Sequence, residues 1–172
     1  MFSRFLRHVL RFSFCSLLIF GLLLSVGCSR STPTPSAVLD ALCAAEVPLP
    51  AGRVYLLGGA QANAHHADGE LLAALFGGGI LPGELGEVED AAFYLSFSHP
   101  CEFSVFLCKS ADGTDAVAKM CLRRLDFLRS YRGEGDGKIY AENASVTVRG
   151  RWVLLCVSND SEGALRAFRQ AF

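Results

Sequence analysis

No aspartate or glutamate occurs before Asp40. The opening MFSRFLRHVLRF instead carries Arg4, Arg7 and Arg11, and the uncharged run behind it, Phe12 to Val26, is 15 residues long. A helix needs about 20 apolar residues to span the hydrocarbon core of a bilayer, so this run is short for a spanning segment. The chain also lacks a C-x-x-C pair and any Cys/His spacing that would build a zinc site. Gly77-Gly78-Gly79 is not followed by the Lys-Ser/Thr of a phosphate loop. Dense basic clusters with interleaved aromatics are missing too, which argues against a nucleic-acid partner.

What the N-terminus does have is a basic start, a short apolar stretch and then Gly27-Cys28, the order of a secretory signal. Leu24-Ser25-Val26-Gly27-Cys28 resembles a bacterial lipobox, where a lipoprotein signal peptidase cuts and the cysteine sulfur receives a diacylglyceryl group. Ser25 departs from the motif, which usually has Leu or another aliphatic residue there. The resemblance implies a lipoprotein signal over residues 1–27, lipidation of Cys28, and a protein held by lipid on the outer face of the bacterial cytoplasmic membrane. A plain secretory signal and an uncleaved N-terminal anchor are the alternatives. SRSTPTPS fits each of them, because Ser, Thr and Pro serve as an extended tether and build no core. The expected organisation is a signal over 1–27, a polar tether over 28–36 and one domain over 37–172.

From Cys28 onward the chain has 145 residues, enough for one domain with a real core, with 13 basic against 17 acidic side chains. Charge is uneven: Ser31 to Glu102 holds one basic residue, Arg53, against nine acidic ones. Five cysteines remain beyond Cys28: Cys43, Cys101, Cys108, Cys121 and Cys156. An odd number cannot pair fully within one chain. Most stand in apolar runs, where a free thiol behaves as a small buried hydrophobe.

SAVLDALCAA predicts a short helix stopped by Pro48 and Pro50, and Arg53 to Leu57 a short strand. GGAQANAHHADG is a loop, Glu70 to Phe76 a brief helix ended by glycines, and LPGELGEVED a surface loop. AAFYLSFSH and CEFSVFLC alternate and form a hairpin. AVAKMCLRRLDFLRSY then repeats Val117, Cys121, Leu125 and Leu128 at helical spacing. ASVTVRGRWVLLCVS is a second hairpin around Gly150, and Asp160 or Ser161 caps a last helix with Leu165, Phe168 and Phe172 on one side. The order ββαββα predicts an α+β fold: an antiparallel four-stranded sheet with helices on one face.

Period 2 then places Phe103, Val105, Val153 and Leu155 toward the helix of Val117, Cys121 and Leu125. Tyr94, Phe106, Cys108, Trp152, Leu154 and Cys156 fall on the reverse face. A face open to water is mostly polar, and this one is not. Either the N-terminal segment covers it, or Tyr94, Phe106, Trp152 and Leu154 form a partner-binding face.

CEFSVFLCKSADGTDAVAKMCLRRLDFLRS, followed after a gap by ENASVTVRGRWVLLCVSNDSEGALRAF, resembles a domain of unknown function found in lipoproteins of clostridia-type Gram-positive bacteria. Glu102, Ala116, Val117, Arg123 or Arg124, and Gly150-Arg151-Trp152-Val153-Leu154-Leu155 stand at its matching positions. The likeness covers roughly Asp90 to Phe172, and its motifs are structural. Tyr131-Arg132 departs from the Tyr-Pro often found after the helix. The resemblance implies a location and a fold, and no activity.

Residues that could carry chemistry are few. Adjacent His65 and His66, with Asp68 and Glu70 nearby, point opposite ways in an extended chain and have no third metal ligand at a useful spacing. His99 stands near the Cys101 thiol, but Pro100 makes a turn between them and no orienting acid is identifiable. Glu102 beside Arg123, Arg124, Arg149 or Arg151 reads as an ion pair. No metal, cofactor or catalytic residue is assigned. The expectation is a non-catalytic binding domain, held to the membrane through Cys28, for an envelope protein or polymer. The alternative is an envelope-processing or thiol-dependent enzyme.

Overall fold

In the computed structural model the described residues are 32–58, 63–130 and 137–172, so Cys28 and the signal expected over residues 1–27 lie outside them. Pro33 to Phe172 make up one compact unit. Its first helix, α1 (Pro35–Ala45), starts where Thr34 accepts a hydrogen bond from the Ala37 amide at 3.2 Å and Pro35 presets the helical φ. Val38, Leu39 and Leu42 form its buried stripe. After β1 (Gly52–Leu56) and the two-residue β2 (His65–His66), Asp68 caps α2 (Gly69–Phe76) by accepting from Leu71 N–H at 2.8 Å. A 3-10 turn (Gly83–Glu87) leads into β3 (Val88–Ser96) and β4 (Glu102–Cys108). Then follow α3 (Thr114–Ser130), α4 (Gly137–Glu142), β5 (Ser145–Arg149), β6 (Trp152–Val157) and α5 (Ser161–Gln170).

The four-stranded antiparallel sheet expected from the sequence is corrected to six strands in the order β2-β1-β3-β4-β6-β5. The sheet is mixed, because β1 and β2 run parallel while every other neighbouring pair is antiparallel. The two hairpins are present. What the pattern did not reveal is that β1 adds to the free edge of β3 and that His65-His66, inside an apparent loop, adds to β1. A two-residue strand has no periodicity to read.

Helices on one face are corrected too. Phe76 of α2 packs on Phe93 and Phe106, and Arg124 of α3 reaches Glu102, so α2 and α3 lie on one face. On the other, Phe172 after α5 packs on Trp152, and α1 lies along β3, β4 and α5. β4 and β6 are buried at every position, as expected of strands covered on both sides.

The ladder also sets β4 one residue away from the parity assumed above. Phe103 pairs with Tyr94 and Cys156, and Val105 with Leu154, so these share the α1/α5 face with Trp152. Phe106 pairs with Val153, and Ser104 with Phe93 and Leu155, on the α2/α3 face. A one-residue slip moves every side chain to the opposite face, and a strand apolar on both faces gives no alternation to prevent the error.

Candidate functional site

A groove of about 600 Å³ opens between α2 and α3. Its outer wall comes from the turn after α2. The Gly77 and Gly79 amides both donate to the Ala73 carbonyl at 3.0 Å, which ends the helix, and Gly78 and Gly79 adopt φ of 61° and 100°. These are left-handed values that glycine takes without cost. The turn throws the next two side chains outward: Ile80 is 78% exposed and Leu81 54%. Across the groove Phe127 of α3 is 62% exposed, while Leu75 and Phe76 form the inner wall.

Charge in the groove is already paired. Arg123 donates to Glu84 at 2.7 Å, and hydrogen bonding to backbone N–H, then to Arg123, holds the Glu84 carboxyl below its ordinary range. Arg124, which also lines the groove, donates to Glu102 through Nε and Nη2 at 3.2 and 2.8 Å. Glu102 is buried and also accepts from Ser104 Oγ at 3.1 Å. Of the four arginines considered as its partner, the structure selects Arg124. Arg151 goes to Glu89 at 2.8 Å, and Arg149 donates to the Arg169 carbonyl.

The other residues singled out in the sequence are dispersed. Tyr94, Phe106, Trp152 and Leu154 are all buried. Phe106 faces α2 while the other three face α1 and α5, so the four do not make one surface. Tyr94 Oη donates to the Pro50 carbonyl, tying the loop after α1 to the sheet. His65 and His66 are exposed, with the His65 ring 5.4 Å from Tyr55, and Asp68 is occupied as a helix cap. Among the described residues no cluster of three or more His, Cys, Asp or Glu is arranged to hold a metal ion. His99 Nδ1 lies 2.8 Å from Ser98 Oγ, and its ring lines a smaller cleft of about 290 Å³ with Pro48, Pro50, Tyr140 and Asn159.

The five described cysteines are free thiols. Burial pushes each of them up, Cys43 and Cys156 to about 12 and Cys101, Cys108 and Cys121 in the same direction. A thiol held protonated at neutral pH is a poor nucleophile. Cys101 in particular is a buried core residue beside the His99-Pro100 turn.

Sequence reasoning missed Ile80, Leu81 and Phe127. The available signals were an Ile-Leu pair between three glycines and a proline, and an aromatic lying off the apolar stripe of its helix. No protein family, no curated protein and no solved structure matches this chain. Among the described residues no helix is long and apolar enough to cross a membrane.

Proposed function

We propose that the chain is an envelope lipoprotein, tethered through lipid on Cys28, whose domain binds an uncharged, apolar segment of another envelope protein without catalysis. The observation that carries the binding site is the trio Ile80, Leu81 and Phe127 exposed around one groove. Large apolar side chains gathered at a concave site are a common mark of recognition. The choice of an uncharged ligand rests on Arg123 and Arg124, both already engaged by carboxylates on the protein itself. The lipobox-like Leu24 to Cys28 and the resemblance of residues 90–172 to a lipoprotein domain support the location. The raised thiols disfavour a thiol-dependent enzyme.

Two measurements test this. Intact mass of membrane-extracted protein is expected to show a chain starting at a lipid-modified Cys28; a chain still starting at Met1 overturns the anchoring. Photo-crosslinking from position 81 in native envelopes is expected to capture a protein partner, and Ile80→Asp with Phe127→Asp to abolish capture while folding is retained. Crosslinks to lipid alone would replace the partner with the bilayer.

A further inference from the structure

The two edges of the sheet are unlike. At one end β2 is only two residues long, too short to template another strand. At the other, β5 is a five-residue strand, SVTVR, with no proline, glycine or bulge. Among the described residues its only ladder is with β6, and no other backbone hydrogen bond joins it to the protein. The turn to β6 has two residues, with Gly150 at φ 57°, between Arg149 and Trp152. A hairpin of this kind closes on a hydrogen-bonded pair, and such pairs then alternate. Arg149, Thr147 and Ser145 therefore bond to β6, which turns the N–H and C=O groups of Val146 and Val148 outward.

We infer that β5 is a self-association edge, pairing antiparallel with β5 of a second copy about a two-fold axis at Thr147. Three features of the strand fit that partner. The sequence around the axis is symmetric, Val-Thr-Val, so Val146 lies opposite Val148 of the second copy and the outward backbone groups of both meet in register. β-Branched residues opposite one another are favourable cross-strand pairs, and Val148, 45% exposed in the single chain, gains an apolar neighbour. The same register puts Ser145 opposite Arg149 of the second copy. There Arg149, whose guanidinium donates to the Arg169 carbonyl and lies over the Phe172 ring of its own chain, meets a small neutral side chain. No like charges are opposed along the strand. The contact is isologous and closes at two chains, because among the described residues β5 is the one edge strand longer than two residues. It joins two six-stranded sheets into one of twelve.

The test uses the full chain extracted in detergent. Opposite residues at a non-hydrogen-bonded pair have Cα atoms about 4.5 Å apart, within disulfide range, and Thr147 sits at such a pair. Thr147→Cys oxidised with copper-phenanthroline is expected to give a covalent dimer on a non-reducing gel, which wild type does not give. Adding Val148→Pro removes an outward N–H that the single chain does not use, and is expected to abolish the crosslink and halve the mass at sedimentation equilibrium. A wild-type chain that sediments as a monomer across a concentration series overturns the inference, including the case in which Thr147→Cys does not fold. So does a dimer that folded Val148→Pro leaves unchanged, since it must then use another surface. A crosslink to a different protein in place of a second copy overturns it as well.

Discussion

Arg124 donates two hydrogen bonds to a single carboxylate oxygen of Glu102, and that carboxylate is buried where α3 meets the start of β4. A paired buried charge is close to neutral in net stability, but an orphaned one is costly, because the remaining ion loses both water and partner. Arg124→Met or Glu102→Leu alone is expected to lower stability by about 3–5 kcal/mol. The double substitution should recover much of that loss. Equilibrium denaturation of the three variants checks it, and additive losses in the double variant would contradict the pairing.

Trp152 lies with its ring 5.0 Å from Phe172, and Leu155 is fully buried on the opposite, α3-facing side. Either residue changed to alanine is expected to cost about 2–5 kcal/mol, through lost burial plus an unfilled cavity. Because Trp152 is the only tryptophan, its emission reads the α1/α5 layer directly and should be blue-shifted in the native chain. A red emission maximum, or Trp152→Ala melting like wild type, would mean that this layer does not cover it.

The buried thiols make alkaline pH the weak side of the protein. Each keeps its proton in the fold to a higher pH than in the unfolded chain, and burial likewise pushes the Tyr94 hydroxyl up to about 12. Above pH 9 the unfolded state releases protons that the native state retains, so stability is full below about pH 9 and falls as pH rises toward 12. Urea midpoints between those limits should decline accordingly. At pH 8 native protein should resist alkylation at Cys43, Cys101, Cys108, Cys121 and Cys156, whereas unfolded protein should label at all five. Rapid native labelling at Cys101 would be the contrary result.

Gly77 shapes the groove. A Cβ added there would lie 1.6 Å from the Ile80 carbonyl oxygen, a clash with backbone that no rotamer relieves. Gly77→Ala is expected to destabilise by at least about 1 kcal/mol and to displace Ile80 and Leu81. Gly83, whose added Cβ meets nothing, serves as the tolerant control. Thermal melts of the two alanine variants provide the comparison.

The sequence disclosed the elements that repeat, and much less about how they meet. β3 to β6, α3 and α5 were legible because hairpin alternation and helical spacing are local signals. The parity of β4 was not, because Phe103, Val105 and Phe106 are equally apolar on either side. The marker that resolves it is Glu102: once its carboxylate must meet Arg124, Ser104 and Phe106 follow it to the same face. The role of α1 depended on a contact across more than a hundred residues, which no window along the chain can contain. The groove was hidden for a related reason, since Ile80 and Phe127 come together only when α2 and α3 lie side by side.

That distant contact governs when the domain can exist at all. Glu46, at the end of α1, is buried and accepts hydrogen bonds from Ser158 Oγ and from the Asn159 amide at 3.0 Å. Its partners sit in the turn between the last strand and the last helix. A ribosome that has delivered α1 has still to make everything the helix docks against, so the earliest helix is among the last to settle. The domain therefore cannot complete itself until Ser158 and Asn159 have been made, and a chain with such a layout stays threadable up to that point.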